Sequence, residues 1–179
     1  MSIKYAILGL LSWRPLTGYD LKKIFADSVA LYWSGNNNQI YRALVELHEE
    51  GLVTQEIQHQ ENYPSRKIYS VTEKGISRLK KWVQTEPDLP ELKNAFLVQL
   101  AWADLLSPQE LDALAGEYEE EVLMQLMMLR AKEQPLSEEV ARTPREAFLW
   151  RMICENWIHF YEGELEWVRN LRTGLNKIE

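Results

Sequence analysis

The apolar residues of this chain follow two rhythms. For most of its length they recur every three or four positions, the period of an amphipathic helix. Only between residues 52 and 71 do short runs mix β-branched and polar residues in the manner of strands. Ile3 to Ser12 is continuously apolar and predicts a helix buried on most sides, with Pro15 beyond its end. Thr17-Gly-Tyr-Asp20 opens a second helix, with Thr17 as N-cap, Asp20 near the positive end of the helix dipole, and Leu21, Ile24 and Phe25 as the core face. A loop from Tyr32 to Gly35 leads to a third helix, where Ile40, Leu44 and Leu47 form one stripe and Gly51 stands at the C′ position. Leu52 to Gln58 and Ile68 to Val71 predict two strands around a turn-rich loop, His59 to Ser65, that contains Asn62 and Pro64. Thr72 starts a fourth helix running to about Gln84.

Thr85-Glu-Pro-Asp-Leu-Pro90 has two prolines that stop a helix and stiffen the chain, so it reads as a linker between a first domain, residues 1–84, and a second, 91–179. The second domain reads as helix throughout. Lys93 to Leu106 is strongly apolar, and Ser107-Pro108 caps a long helix that Pro135 is expected to break. Thr143-Pro144 opens a final helix in which Trp150, Cys154, Trp157, Tyr161, Val168, Leu171 and Leu175 recur at near-heptad spacing. A second row, Leu149, Ile153, Phe160 and Leu165, widens that stripe, and a helix apolar on two adjacent rows needs more than one partner. The fold class is therefore mainly α with a small β-wing: an N-terminal winged helix-turn-helix and a C-terminal antiparallel helical dimerisation domain. Trp157, Tyr161, Val168 and Leu171 are the candidate contacts of a homodimer.

Charge sharpens the division. The net charge is −7, yet residues 1–84 carry eleven Lys and Arg against eight Asp and Glu, about +3. Residues 85–179 carry nine against nineteen, about −10. This is the distribution of a nucleic-acid reader joined to an acidic assembly module, although acidic helical domains are common for other reasons. The single cysteine, Cys154, allows no intramolecular disulfide, and no apolar run reaches the length of a membrane span. A cytoplasmic protein with no membrane partner is expected.

If Ile40, Leu44 and Leu47 face the core, then Asn38, Tyr41, Arg42 and Val45 lie on the opposite surface, with Asn37 near the N-terminal turn. Asn can bond an adenine edge and Arg can fork onto guanine; Tyr, Asn and the helix N-terminus can equally bond phosphate. The plain alternative is a solvated helix face. Three consecutive asparagines and a surface tyrosine favour helix poorly, and the face shows no Glu–Lys pairing, both of which count against that alternative. Arg66 and Lys67 are expected at the C-terminal base of the wing, the hairpin that the two strands form, where they would meet a sugar-phosphate backbone. His48, His59 and His159 are scattered without metal-ligand spacing, and no phosphate loop or nucleophile motif is present, so neither enzyme activity, metal nor cofactor is expected. The aromatics of the second half, Phe96, Trp102, Trp150, Trp157 and Phe148, either fill a core or line an effector pocket built on Phe96, Trp102 and Trp150, suited to a flat aromatic ligand.

With these residues laid out, the chain resembles the PadR family of transcriptional regulators. The resemblance rests on Ala6-Ile-Leu-Gly-Leu-Leu11, Leu16-Thr-Gly-Tyr-Asp-Leu-Lys-Lys23, Ile40-Tyr-Arg-Ala-Leu44, Glu50-Gly-Leu-Val53 and Arg66-Lys-Ile-Tyr-Ser-Val-Thr-Glu-Lys-Gly75. The longer second half, with Glu164-Leu-Glu-Trp167, looks like the branch with a virulence-activator-type C-terminal domain. Many members carry His where this chain has Thr17. The resemblance implies a homodimer formed by the C-terminal helices, with two winged helices on a palindromic double-stranded DNA operator. It also implies repression that is often relieved by a small aromatic effector, and places Tyr41 and Arg42 in the recognition helix. The competing reading is a protein–protein adaptor that uses a winged-helix scaffold without DNA. A small-molecule-binding or weakly catalytic helical protein is a third.

Overall fold

The computed structural model describes residues 3–27, 37–59, 65–90, 93–139 and 141–178. The expected loop from Tyr32 to Gly35, together with Asn36, Asn62 and Pro64, lies outside them. The chain divides into two compact units, Met1–Leu89 and Pro90–Glu179.

The first unit runs α1 (Ile3–Leu11), β1 (Leu16–Thr17), α2 (Gly18–Asp27), α3 (Asn37–Glu49), β2 (Val53–Gln58), β3 (Arg66–Val71) and α4 (Glu73–Val83). Ile7, Leu8 and Leu11 of α1 meet Leu21 of α2 and the Ile40, Leu44, Leu47 stripe of α3 in one buried cluster. α3 ends in a Schellman turn: Leu52 N–H donates to Leu47 O (2.9 Å), Gly51 N–H donates to His48 O (2.9 Å), and Gly51 takes φ 69°. The chain is thereby turned into β2. Thr72 closes the base of the hairpin on the β3 side, its hydroxyl accepting from Gly75 N–H (3.1 Å) as the cap of α4 while donating to Gly51 O (2.9 Å). The sheet has three antiparallel strands in the order β1-β3-β2, with Leu16 opposite Tyr69 and Gln58 opposite Arg66. β1 is absent from the sequence reading. Leu16 and the cap residue Thr17 are too few to show alternation, and only pairing with β3 makes them a strand.

The second unit runs α5 (Ala95–Ala101), a 3₁₀ turn (Ala103–Leu105), α6 (Pro108–Glu139) and α7 (Pro144–Ile178). Two expectations are corrected here. The apolar segment Lys93–Leu106 is not one helix: Asn94 caps a short α5 by accepting from Phe96 N–H (3.0 Å), and the chain tightens into the 3₁₀ turn after Trp102. Pro135 does not break α6, which continues to Glu139. Proline removes a single backbone donor, and the Ala131-Lys-Glu-Gln134 turn before it has high helix propensity.

α6 and α7 form an antiparallel hairpin. Ala115, Val122, Leu126 and Leu129 are buried from one helix and Cys154, Ile158, Leu165 and Val168 from the other. Ion pairs mark the register: Arg172 with Asp112 (2.9 Å) and Glu119 (2.9 Å), Arg169 with Glu119 (2.8 Å), and Arg130 with Glu162 (2.6 Å). Where α5 meets the hairpin, Phe96 stacks on Tyr118 (4.0 Å between centroids) with Trp167 edge-on (6.1 Å). Asn94 Nδ2 donates to the Tyr118 hydroxyl (3.0 Å), which donates to Glu164 (2.6 Å). Burial, reinforced by the Glu164 carboxylate, pushes the Tyr118 phenol up to about 12.

Gly51→Ala is expected to lower stability by about 1 kcal/mol, because an L side chain is strained at positive φ; urea unfolding measures it. The Tyr118 shift has a pH signature. Below pH 10.0 both folded and unfolded chains hold the phenolic proton; between 10.0 and about 12 only the unfolded chain releases it, so stability falls across that window. Tyr118→Phe should flatten this part of the stability profile, and an unchanged slope would contradict the assignment.

Candidate nucleic-acid interface

The site is built from three elements of the first unit. α3 buries Ile40, Leu44 and Leu47, and helical geometry therefore turns Asn38, Tyr41, Arg42 and Val45 outward. Tyr41 is 49% exposed and Val45 54%. Asn37 is the first residue of α3, but its side chain lies outside the described residues. Across from this face runs β3. Arg66 and Lys67 are not at the base of the hairpin: they begin β3, opposite Gln58 and Ile57, at the end of the hairpin nearest its loop. Between α3 and β3 lies a groove of about 870 Å³, lined by Tyr41 and Val45, by Ser65, Arg66, Lys67 and Tyr69, and by Thr17 to Asp20 at the start of α2.

That start of α2 is shaped by a reciprocal cap. Asp20 N–H donates to the Thr17 hydroxyl (3.1 Å), while the Asp20 carboxylate accepts from the Thr17 hydroxyl (2.7 Å) and amide (3.0 Å). The Thr17 hydroxyl bond first, then its amide and the charges of Arg14 and Arg66, hold the Asp20 carboxyl below its ordinary range. Gly18 follows, and a Cβ there would stand 2.6 Å from Cε1 of Tyr41, so the tyrosine ring lies directly on the helix start because this residue has no side chain. Tyr69 is buried beneath the groove, and burial raises its phenol pKa.

Arg42 behaves differently from expectation. It is exposed, yet its Nε donates to Glu46 (3.1 Å), an i,i+4 pair of the kind the sequence reading held absent from this helix. Glu46 also binds Lys4 of α1 (2.8 Å), and Lys4 binds Glu50 (2.8 Å). Arg42 does not line the groove; its side chain is 83% exposed and gives only Nε to Glu46. Arg66 and Lys67, together with the exposed Lys22 and Lys23 of α2, supply positive charge on this unit.

The remaining candidates lie in the second unit. Phe96 is buried in the Tyr118–Trp167 cluster, Trp102 is 71% exposed, and Trp150 is half-buried near the start of α7. Trp150 and Trp167 are seventeen residues apart on one helix, about 25 Å by its rise, so Phe96 and Trp150 share no pocket within this unit. Val168, expected at a dimer contact, is 0% exposed inside the hairpin and has no surface left to offer. Trp157, Tyr161 and Leu171 are half-buried. The apolar side chains left uncovered include Leu123, Met124, Met127 and Met128 on α6, and Phe148, Leu149, Met152, Ile153 and Phe160 on α7. His48 Nδ1 lies 3.2 Å from Val53 O and His59 Nδ1 3.1 Å from the Ser65 hydroxyl; no metal-holding cluster occurs among the described residues.

Residues 7–81 match the model of the transcriptional regulator PadR-like family, and residues 92–176 match that of the virulence activator alpha C-terminal domain. The chain thus carries a PadR-like domain followed by a virulence-activator-type C-terminal domain. It is 35% identical over 109 residues to the negative transcriptional regulator PadR of Bacillus subtilis (strain 168), spanning 60% of that relative's length and 60% of its own. The crystal structure of Bacillus subtilis PadR in complex with operator DNA has a TM-score of 0.81 at 26% identity, covering 97% of this chain and 98% of the other. The Vibrio cholerae virulence activator AphA has a TM-score of 0.74 at 25% identity, covering 99% and 100%. No helix among the described residues is long and apolar enough to cross a membrane.

Sequence reasoning about this chain missed Gly18 and Tyr19 as part of the groove, and did not separate Val45 from Arg42. The Thr-Gly-Tyr-Asp cap places residue 19 on an exposed first turn, which was a usable signal. The contact of Gly18 with Tyr41 crosses from one helix to another and had none. Because Thr17 both caps α2 and anchors Asp20, Thr17→Ala is expected to cost about 1 kcal/mol in urea unfolding. It should also return the Asp20 carboxyl toward its ordinary pKa, read by NMR titration.

Proposed function

We propose that this chain is a sequence-specific regulator of transcription that acts in the cytoplasm as a homodimer, two winged helices binding a palindromic operator, and that it represses. No catalytic role is part of this reading. The observation that carries it is the shared groove: α3 presents Tyr41 and Val45, with Asn38 on the same outward face, to a space whose other wall carries Arg66 and Lys67. A helix of this kind enters a major groove while the adjacent basic strand meets the phosphate backbone. The likeness in fold to a PadR solved on operator DNA supports the reading. The sign of regulation is supported by the 35% identity to a protein named a negative regulator. For the homodimer the support is the uncovered apolar surface of α6 and α7, including nine large side chains whose exposure in a lone chain is unfavourable. Trp157, Tyr161 and Leu171 border that surface in the reading, and Val168 does not belong to it.

The test is a fluorescence-anisotropy titration against fragments of the chain's own upstream region, at two salt concentrations and with competitor DNA. Tight, competitor-resistant binding to one palindromic fragment is expected. Weak binding to every fragment, erased by salt, would favour the adaptor instead. Lys67→Ala should weaken specific and non-specific duplexes alike and reduce the slope of log affinity against log salt by about 1, the loss of one phosphate contact.

A further inference from the structure

We propose that Val45 reads the 5-methyl group of a thymine in the operator, making it a specificity-determining residue of this interface; the assignment rests on the DNA-binding reading above. Tyr41 and Val45 are one helical turn apart, both about half exposed, and they are the two α3 side chains that line the groove. Arg42, whose Nε lies on Glu46 at 3.1 Å, does not line the groove. The face of α3 opposite the basic strand thus offers a phenol and an isopropyl group.

Val45 does nothing for the core, which is filled from this helix by Ile40, Ala43, Leu44 and Leu47. A β-branched residue also weakens the helix relative to the Glu, Lys or Gln that an ordinary solvated face carries. Its position suits a reader. From Asn38 to Val45 the helix rises about 10 Å, less than the width of a major groove, so both ends of this outward face fall within reach of base edges. Guanine and adenine present N7 with O6 or the N6 amino group in the major groove, and cytosine its N4 amino group beside a C5–H without a methyl, so an isopropyl group against them would desolvate polar groups with no bond in return. Thymine alone presents a methyl group. The chemistry of Val45 therefore selects thymine, while the tyrosine, the asparagine and the basic strand supply polar contacts.

The experiment begins with selection of a bound sequence from a random duplex pool by the full-length chain. Each thymine of the selected site is then replaced singly by deoxyuridine, which removes only the methyl group. Wild-type and Val45→Ala chains are titrated against every duplex by anisotropy. The expected result is one thymine per half-site whose replacement weakens the wild type about three- to fivefold, the size of one buried methyl group, and leaves Val45→Ala unaffected. Val45→Ala should bind the unmodified site with a similar loss and keep its affinity for unselected DNA; alanine favours helix more than valine, so misfolding does not account for a loss. Equal sensitivity of both chains at every position, or no sensitive position, overturns the assignment while leaving the regulator reading intact. Failure of the wild type to select any sequence overturns both.

Discussion

The burial of Ile40, Leu44 and Leu47 against α1 is the constraint on which the rest of the first unit depends. A helix has no preferred outer face until one side is committed to a core. Once these three residues are enclosed, Tyr41 and Val45 point outward and the rotation of α3 is set to within a fraction of a turn. The ion pairs from Lys4 to Glu46 and Glu50 join the same two helices at their edge, but they are partly exposed, and their contribution is small beside the apolar contact.

The position of the basic strand follows from that core by a short chain of hydrogen bonds. Leu47 and His48 accept the Schellman bonds that turn the backbone at Gly51, and Leu52 and Val53 then enter the core as β2 begins. Thr72, where β3 returns to the base of the hairpin, ties it to Gly51 and Leu52. Held at its base in this way, the hairpin carries Arg66 and Lys67 at its distal end, across a groove from the outward face of α3. Tyr69, paired with Leu16 and buried under the groove, links the hairpin to the start of α2. The groove is thus a consequence of packing at three places remote from its charged residues.

The second unit divides its apolar surface differently. One face of α7 is spent on α6, and Val168 and Leu165 close that seam with ion pairs along its margin. The other face, with the methionines of α6, stays uncovered. The part-buried Asn94, Tyr118 and Glu164 account for a carboxylate among the apolar residues of α7: Glu164 lies on the seam where it accepts a hydrogen bond from the Tyr118 hydroxyl, in keeping with the need of a part-buried carboxylate for a partner.

Periodicity, turn residues and caps determined most of the local structure. The α3 stripe, the Gly51 stop, the Thr17 and Thr72 caps and the two long C-terminal helices are all legible because each depends on residues within a few positions of one another. The tertiary structure decided what depends on distant partners. β1 exists only by pairing with β3, Gly18 matters only because Tyr41 lies on it, and Val168 is enclosed because α6 covers it. Local sequence sets propensities and faces. Which side chain on a face remains available is set by whatever packs against it, and no spacing rule within one element carries that information.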